Sequence, residues 1–284
     1  MKVLVLGATG MLGHVAFRLL SDAQHLDVWG TCRSPRLAER LPEALQPRLI
    51  SGVDAGDPGG VAALIAKLEP EAVINCIGLI KQRATGADPL AAIPLNALFP
   101  HQMARVCQER GARFIHISTD CVFDGACGAY SEMDAPTARD VYGLSKLLGE
   151  TTEGGALTLR TSIIGPELEG NNGLLQWFLA QNGEVSGYTR AIFSGLPTVE
   201  LARLIRDHVL PKPDISGLYH VAGQPIAKHD LLQLFKRTYG SPVTIKPDPG
   251  VVIDRSLDAS RFSIATGYVP PAWPDLIEAM RVFG

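Results

Sequence analysis

The feature that most constrains this chain is the alternation of short apolar runs with stretches of helical periodicity. Val3–Leu6 is apolar throughout, and Met11–Ser21 then places Leu12, Val15, Ala16, Leu19 and Leu20 close to helical spacing. Strands are predicted at Asp27–Cys32, Leu49–Val53, Ala72–Ile77, Arg113–Ile117 and Ala156–Ile163. Helices are predicted at Val61–Leu68, Leu95–Arg110 (stopped by Gly111) and Val141–Glu150. Strands without polar alternation are buried on both faces, and a helix after each strand means parallel crossovers. The expected fold class is therefore α/β, a Rossmann-type doubly wound parallel sheet, over residues 1–164. Past Gly165 the pattern breaks at the Gly170-Asn171-Asn172-Gly173 turn. Helices are expected at Leu174–Ala180, Thr198–Val209 and Lys228–Tyr239, a strand at Gly217–Val221, and then a proline-rich end. Residues 165–198 and 225–284 are expected to form a smaller C-terminal lobe that binds substrate, with 199–224 returning to the sheet domain.

Composition removes several classes of function. Hydrophobic residues make up 46% of the 284 and charged residues 19%, so the chain can bury a sizeable core and is not disordered. The net charge is −3 and no basic block occurs, which argues against nucleic acid as a partner. No apolar run reaches the roughly 18–20 residues of a membrane span. The N-terminal run stops at Gly7, too short for a signal peptide. Cys32, Cys76, Cys107, Cys121 and Cys127 form no CxxC pair, which suits reduced thiols in a cytoplasm. No histidine has a second ligand at metal spacing, and no metal is expected.

At the first strand–helix junction stands Gly7-Ala8-Thr9-Gly10-Met11-Leu12-Gly13. A chain that must turn tightly and approach a pyrophosphate needs glycine there, and the free N–H groups of the following helix face the anion. The segment Gly7, Thr9, Gly10, Met11, Leu12 and Gly13 is thus a candidate dinucleotide loop. An acidic residue at the end of the second strand would favour NAD. Here Arg33 and Ser34 stand instead, suited to a 2′-phosphate; the expected cofactor is NADPH, with NADH possible. Arg33 also reads as a solvated loop charge. Asp54, followed by Ala55, can accept from an adenine amino group or simply close a turn.

Tyr142 and Lys146 stand four residues apart, on one face of a helix. Thr119 ends the fifth strand just before them, and ligands of parallel sheets gather at the strands' carboxyl ends. Carbonyl reduction requires a hydride on carbon and a proton on oxygen. A tyrosine with a reference pKa of about 10 must be lowered toward neutrality, roughly 4 kcal/mol at about 1.36 kcal/mol per unit. A lysine ammonium supplies charge of the right sign. Thr119 would hold the substrate oxygen, Tyr142 donate the proton, and Lys146 tune Tyr142 and anchor the cofactor ribose.

With the glycine loop, Asn96, Ser118-Thr119-Asp120-Cys121-Val122-Phe123 and Val141-Tyr142-Gly143-Leu144-Ser145-Lys146-Leu147-Leu148-Gly149-Glu150, the chain resembles the extended short-chain dehydrogenases/reductases. Within them it is similar to the dTDP-4-dehydrorhamnose reductase family. Arg160-Thr161-Ser162, Pro197-Thr198 and Gly217-Leu218-Tyr219-His220 extend the match. The resemblance implies reduction of a nucleotide-linked 4-keto-6-deoxy sugar for cell-surface polysaccharide. It carries substrate contact over to Thr119, Asp120, Asn171, Asn172 and the Phe193–Thr198 segment with Pro197, and cofactor contact to Cys76, Ile77 and Gly78 at the end of the fourth strand. The chain departs from the family after the fourth strand, where Lys81-Gln82-Arg83 either touches the substrate, Lys81 foremost, or decorates a solvated loop. An epimerase of the same fold stays open, as does a regulatory subunit like the methionine adenosyltransferase beta subunit. A dehydratase would carry Asp-Glu where this chain has Asp120-Cys121. A homodimer is the default assembly.

Overall fold

The computed structural model describes residues 1–79 and 84–284. In chain order the strands are β1 (Lys2–Leu6), β2 (Asp27–Cys32), β3 (Leu49–Ser51), β4 (Ala72–Asn75), β5 (Arg113–Thr119), β6 (Leu157–Thr161), β7 (Ile163–Ile164), β8 (Glu184–Phe193), β9 (Leu196–Pro197), β10 (Gly217–His220), β11 (Ile226–Ala227) and β12 (Thr244–Asp254). The helices are α1 (Met11–Ser21), α2 (Pro35–Ala38), α3 (Pro58–Leu68), α4 (Pro89–Ala92), α5 (Phe99–Glu109), α6 (Val141–Leu148), α7 (Leu174–Leu179), α8 (Thr198–Leu204), α9 (Lys228–Tyr239), α10 (Ser260–Thr266) and α11 (Trp273–Phe283).

Seven parallel strands form the main sheet in the order β10-β6-β5-β4-β1-β2-β3. This is the doubly wound Rossmann arrangement the apolar runs predict. Side chains alternate across the sheet, so Val3 and Val5 join Phe17, Leu20, Leu201 and Ile205 in one core, while Leu4 and Leu6 join Val61, Ile65, Phe99 and Met103 in the other. Each such side chain contributes about 1.5–3 kcal/mol through burial. Strand order reverses between β1 and β4, which opens a crevice at their carboxyl ends.

Two regions differ from expectation. The helix expected at Leu95–Arg110 starts earlier, with α4, and passes through a wide π-type turn at Ile93–Leu98 before α5. Pro100 has no N–H to donate to the Asn96 carbonyl, so an ordinary helical turn cannot close there. The second difference is a three-stranded sheet, β11-β8-β12, that the sequence pattern hid. β12 carries Pro247, Pro249 and Gly250, residues that argue against a strand, yet it is an edge strand with a register shift between Asp248 and Val252, where prolines are tolerated. Helices α10 and α11 occupy the proline-rich end. Among the described residues, no helix is long and apolar enough to cross a membrane.

Candidate active site

A cleft of about 680 Å³ lies between the carboxyl ends of the main-sheet strands and the β8–β12 sheet. Its floor begins at the glycine loop. A Cβ on Gly13 would lie 2.0 Å from the Gly7 carbonyl oxygen, so the start of α1 can sit this close to the β1 turn only with glycine there. Gly7 itself has φ +79°, the left-handed region. The N-cap of α1 is Gly10, and no side chain caps the helix. Its first N–H groups are left for a ligand, the arrangement that favours an anion. Gly10, Met11 and Leu12 line the cleft, and Cys76 and Gly78 face them from the end of β4. These residues fit a dinucleotide pyrophosphate.

Helix α6 brings Tyr142 and Lys146 into the same cleft as Thr119 and Asp120 at the end of β5. Asp140 caps α6 by accepting from Gly143 N at 2.8 Å. A Cβ on Gly143 would stand 2.5 Å from the Cys121 carbonyl oxygen, so glycine at this position lets the helix lie against the turn after β5. Asn96, in the π-type turn, accepts from Leu79 N at 2.8 Å and donates to Ser145 Oγ at 3.1 Å. It ties the segment after β4 to the helix bearing Tyr142 and Lys146.

Lys146 is buried and donates from Nζ to the Ile117 carbonyl at 2.7 Å. Burial lowers its pKa to about 8, against the upward pull of Glu150 and Cys76. Burial drives Tyr142 above the ordinary phenol range, helped by the charge of Asp120 and opposed by the Thr119 hydroxyl. The Thr119 hydroxyl accepts from Cys121 N at 3.1 Å and donates to Asp120 Oδ1 at 3.2 Å. Burial raises Asp120, while Arg255 and Lys228 hold it down. The thiols of Cys76 and Cys121 are both pushed up to about 12, mainly by burial, so they stay protonated near neutrality. All five cysteines are free thiols.

Other expected residues fall into place less uniformly. Asn172 lines the cleft, whereas Asn171 is exposed outside it. Arg33 is exposed just past β2, and Ser34 is the N-cap of α2. Asp54 is exposed and accepts from Gly56 N at 2.9 Å, closing a turn, while Ala55 is buried in the core beneath β1. Thr9 and Ile77 are half-buried beside the cleft-lining residues of their loops. Pro197 is buried in β9 at the N-cap of α8 and does not line the cleft; its fixed φ suits a helix start. Lys81 lies outside the described residues. Of the Phe193–Thr198 segment, Phe193 lines the cleft, and the structure adds Trp177, Lys228 and Arg255 to its wall. These three come from the lobe whose sheet was hidden, and no local motif marks them.

Comparison with known proteins decides the family, because the RmlD substrate binding domain matches residues 1–249. The chain belongs to the RmlD substrate-binding family. It is an extended short-chain dehydrogenase/reductase, of the sugar-nucleotide oxidoreductase type. The probable low-salt glycan biosynthesis reductase Agl14 of Haloferax volcanii is 32% identical over 235 residues, 79% of this chain and 75% of that protein. The dTDP-4-dehydrorhamnose reductase of Salmonella typhimurium is 28% identical over 244 residues, 82% of this chain and 77% of its own length. A solved structure, a hypothetical dTDP-4-dehydrorhamnose reductase from Sulfolobus tokodaii, matches with a TM-score of 0.77 at 26% identity, over 96% of this chain and 98% of that one.

Proposed function

We propose that this RmlD-family member reduces the C4 carbonyl of a nucleotide-linked 4-keto-6-deoxy sugar with NADPH, NADH being the weaker alternative, in the supply of a cell-surface polysaccharide. The observation that carries the reading is the meeting of Thr119, Tyr142 and Lys146 in the cleft that also receives the uncapped start of α1. The cofactor, when bound, supplies the hydride. The glycine loop and the first N–H groups of α1 hold its pyrophosphate, and Arg33 and Ser34, just past β2, would take a 2′-phosphate. Thr119 orients the sugar oxygen, and Tyr142 gives it a proton. Lys146, as the ammonium, makes the departing phenolate less costly and holds the cofactor ribose. Asp120 and Asn172 lie where they can meet the sugar, and the cationic Lys228 and Arg255 suit a nucleotide diphosphate. Five free thiols fit a cytoplasmic enzyme. A homodimer would cover Leu144 and Leu148, which α6 leaves exposed.

The test follows oxidation of NADPH, with NADH in parallel, against a freshly generated panel of dTDP- and UDP-linked 4-keto-6-deoxy sugars. Consumption with one member is expected and names substrate and cofactor together. Cofactor binding without consumption for any member would overturn the reading, in favour of an epimerase or a binding subunit.

A further inference from the structure

Behind the Tyr142–Lys146 helix lies a buried charge network that proton donation to the sugar does not use. Glu150 follows the last turn of α6, four residues after Lys146. Its carboxylate receives both arms of Arg160, Nε to Oε1 and Nη2 to Oε2, each at 2.7 Å. Only 4% of the Arg160 side chain and 9% of that of Glu150 is exposed. Ser118 Oγ donates to the same Oε1 at 2.7 Å, directly before Thr119. On its far side Arg160 Nη1 lies 3.2 Å from His220 Nε2, and His220 Nδ1 lies 2.9 Å from the Tyr130 carbonyl. Arginine has only donors, so Nε2 accepts, Nδ1 carries the proton, and His220 is neutral.

A buried ion pair is weak evidence for stability, because desolvation offsets most of its attraction. Its placement points to another role. We propose that the Glu150–Arg160 pair is a positioning element for Lys146, in which Glu150 holds the ammonium charged and Arg160 limits that pull. Both charges are anchored on adjacent residues of β5, Lys146 Nζ on the Ile117 carbonyl and Glu150 Oε1 on the Ser118 hydroxyl, each at 2.7 Å, while Arg160 stands one strand further, on β6, opposite Ser118. The other groups around Lys146 cannot take the place of Glu150. Cys76 on the β4 side keeps its proton, and His116 on β5, with His101 of α5 beyond it, is held neutral by burial. Tyr142 is the group that Lys146 serves. The proposal rests on the reductase reading for its purpose, though not for its test.

The two members of the pair carry opposite charge, so their single substitutions must act in opposite directions. Glu150→Gln removes a negative charge, and the Tyr142–Lys146 pair then gives up its first proton at lower pH. Arg160→Met leaves the carboxylate uncompensated, and the proton is kept to higher pH. The readouts are the basic limb of kcat/KM and, in cofactor-free protein, the 13Cε shift of Lys146 followed by NMR over pH and assigned with Lys146→Met. The expected displacement is about one pH unit downward for E150Q and upward for R160M, the low end of what a neighbouring charge confers. Damage to packing alone would not reverse sign between them. Displacement in the same direction for both, or an unmoved Lys146 titration, would overturn the proposal. If either single variant fails to fold, E150L/R160M replaces the pair with apolar groups, a change often tolerated. Its Lys146 midpoint should fall, because the carboxylate lost is anchored on β5 beside Lys146 and the guanidinium lost stands one strand further, on β6, and an unchanged midpoint would refute the role. The NMR titration needs no substrate, so its failure is distinct from failure of the reductase reading.

Discussion

Replacing Gly13 with alanine tests whether the start of α1 is built to touch a pyrophosphate. The new Cβ would stand 2.0 Å from the Gly7 carbonyl oxygen, 2.8 Å from its carbonyl carbon and 3.1 Å from Ala8 Cα. All three are backbone atoms, so no side chain can swing aside. Restoring an ordinary contact of about 3.4 Å moves the helix start by roughly 1.4 Å relative to the loop, the scale at which a positioned group loses about 100-fold. Overpacking of this kind costs about 1–3 kcal/mol, and the helix propensity of alanine over glycine returns up to about 1 kcal/mol. The net cost of about 0–3 kcal/mol lowers Tm by no more than about 12 °C for a chain of this size. G13A should therefore fold and yet bind NADPH about 100-fold more weakly in a fluorescence titration. Gly59→Ala is the control. Its Cβ meets only Asp57 Oδ1, at 3.5 Å, and both stability and binding should hold. Wild-type NADPH affinity in folded G13A would refute the assignment of the loop.

Three further outcomes follow from the same cleft. Tyr142→Phe should lower kcat by about 100-fold or more, the usual contribution of a general acid, and leave the NADPH Kd within about twofold; full turnover would remove Tyr142 as proton donor. Lys146 has its pKa depressed to about 8, so it is charged below that pH and neutral above it. A pH profile of kcat/KM should then decline above about pH 8, and a flat profile to pH 10 would contradict a charged Lys146 in the reaction. Arg33→Ala should weaken NADPH by about 10- to 100-fold, the worth of a charge-assisted contact of roughly 1.5–3 kcal/mol, and leave NADH unchanged. Equal losses for both coenzymes would place Arg33 away from a 2′-phosphate.

Much of the sheet domain was legible in the sequence because its strands are buried on both faces. Val3–Leu6 and Asp27–Cys32 have no polar alternation to confuse, and the helix at Met11–Ser21 follows a glycine turn whose backbone leaves no room for a side chain. Thr119, Tyr142 and Lys146 were legible for a related reason, since a strand end and the helix after it bring them together locally. The opposite wall of the cleft was not. Apart from Phe193, which the resemblance placed there, its residues Trp177, Lys228 and Arg255 come from α7, α9 and the end of β12, held together by a sheet whose central strand contains Gly187 and whose edge contains Pro247 and Pro249. Its pairing is long-range, and local periodicity does not report it. The π-type turn at Ile93–Leu98 was hidden similarly: Pro100 shows that an ordinary turn cannot close, but not that Asn96 would face Leu79 and Ser145.

The neighbours of Tyr142 narrow the chemistry beyond what the Thr119–Tyr142–Lys146 set does. Eliminating water from a sugar takes a proton from carbon and gives one to the leaving hydroxyl, so a dehydratase needs an acid–base partner beside its tyrosine. Position 121, where that partner would stand after Asp120, is a cysteine whose thiol is held near 12 by burial and by the charge of Asp120. A thiol kept protonated near neutrality takes no proton from carbon, so it is no base. Asp120 is engaged by the Thr119 hydroxyl and faced by Arg255 and Lys228. On the proposed reading Tyr142 is the proton donor on this wall, and the Lys146 ammonium would lower the cost of the phenolate it leaves. Reduction of a carbonyl needs one such proton and no more. Cys121→Ser should therefore leave reduction within about threefold of wild type, since the thiol takes part in no proton transfer. Loss of turnover in a folded C121S, with NADPH still bound, would show that the wall supplies a second proton and that the chemistry is not a simple reduction.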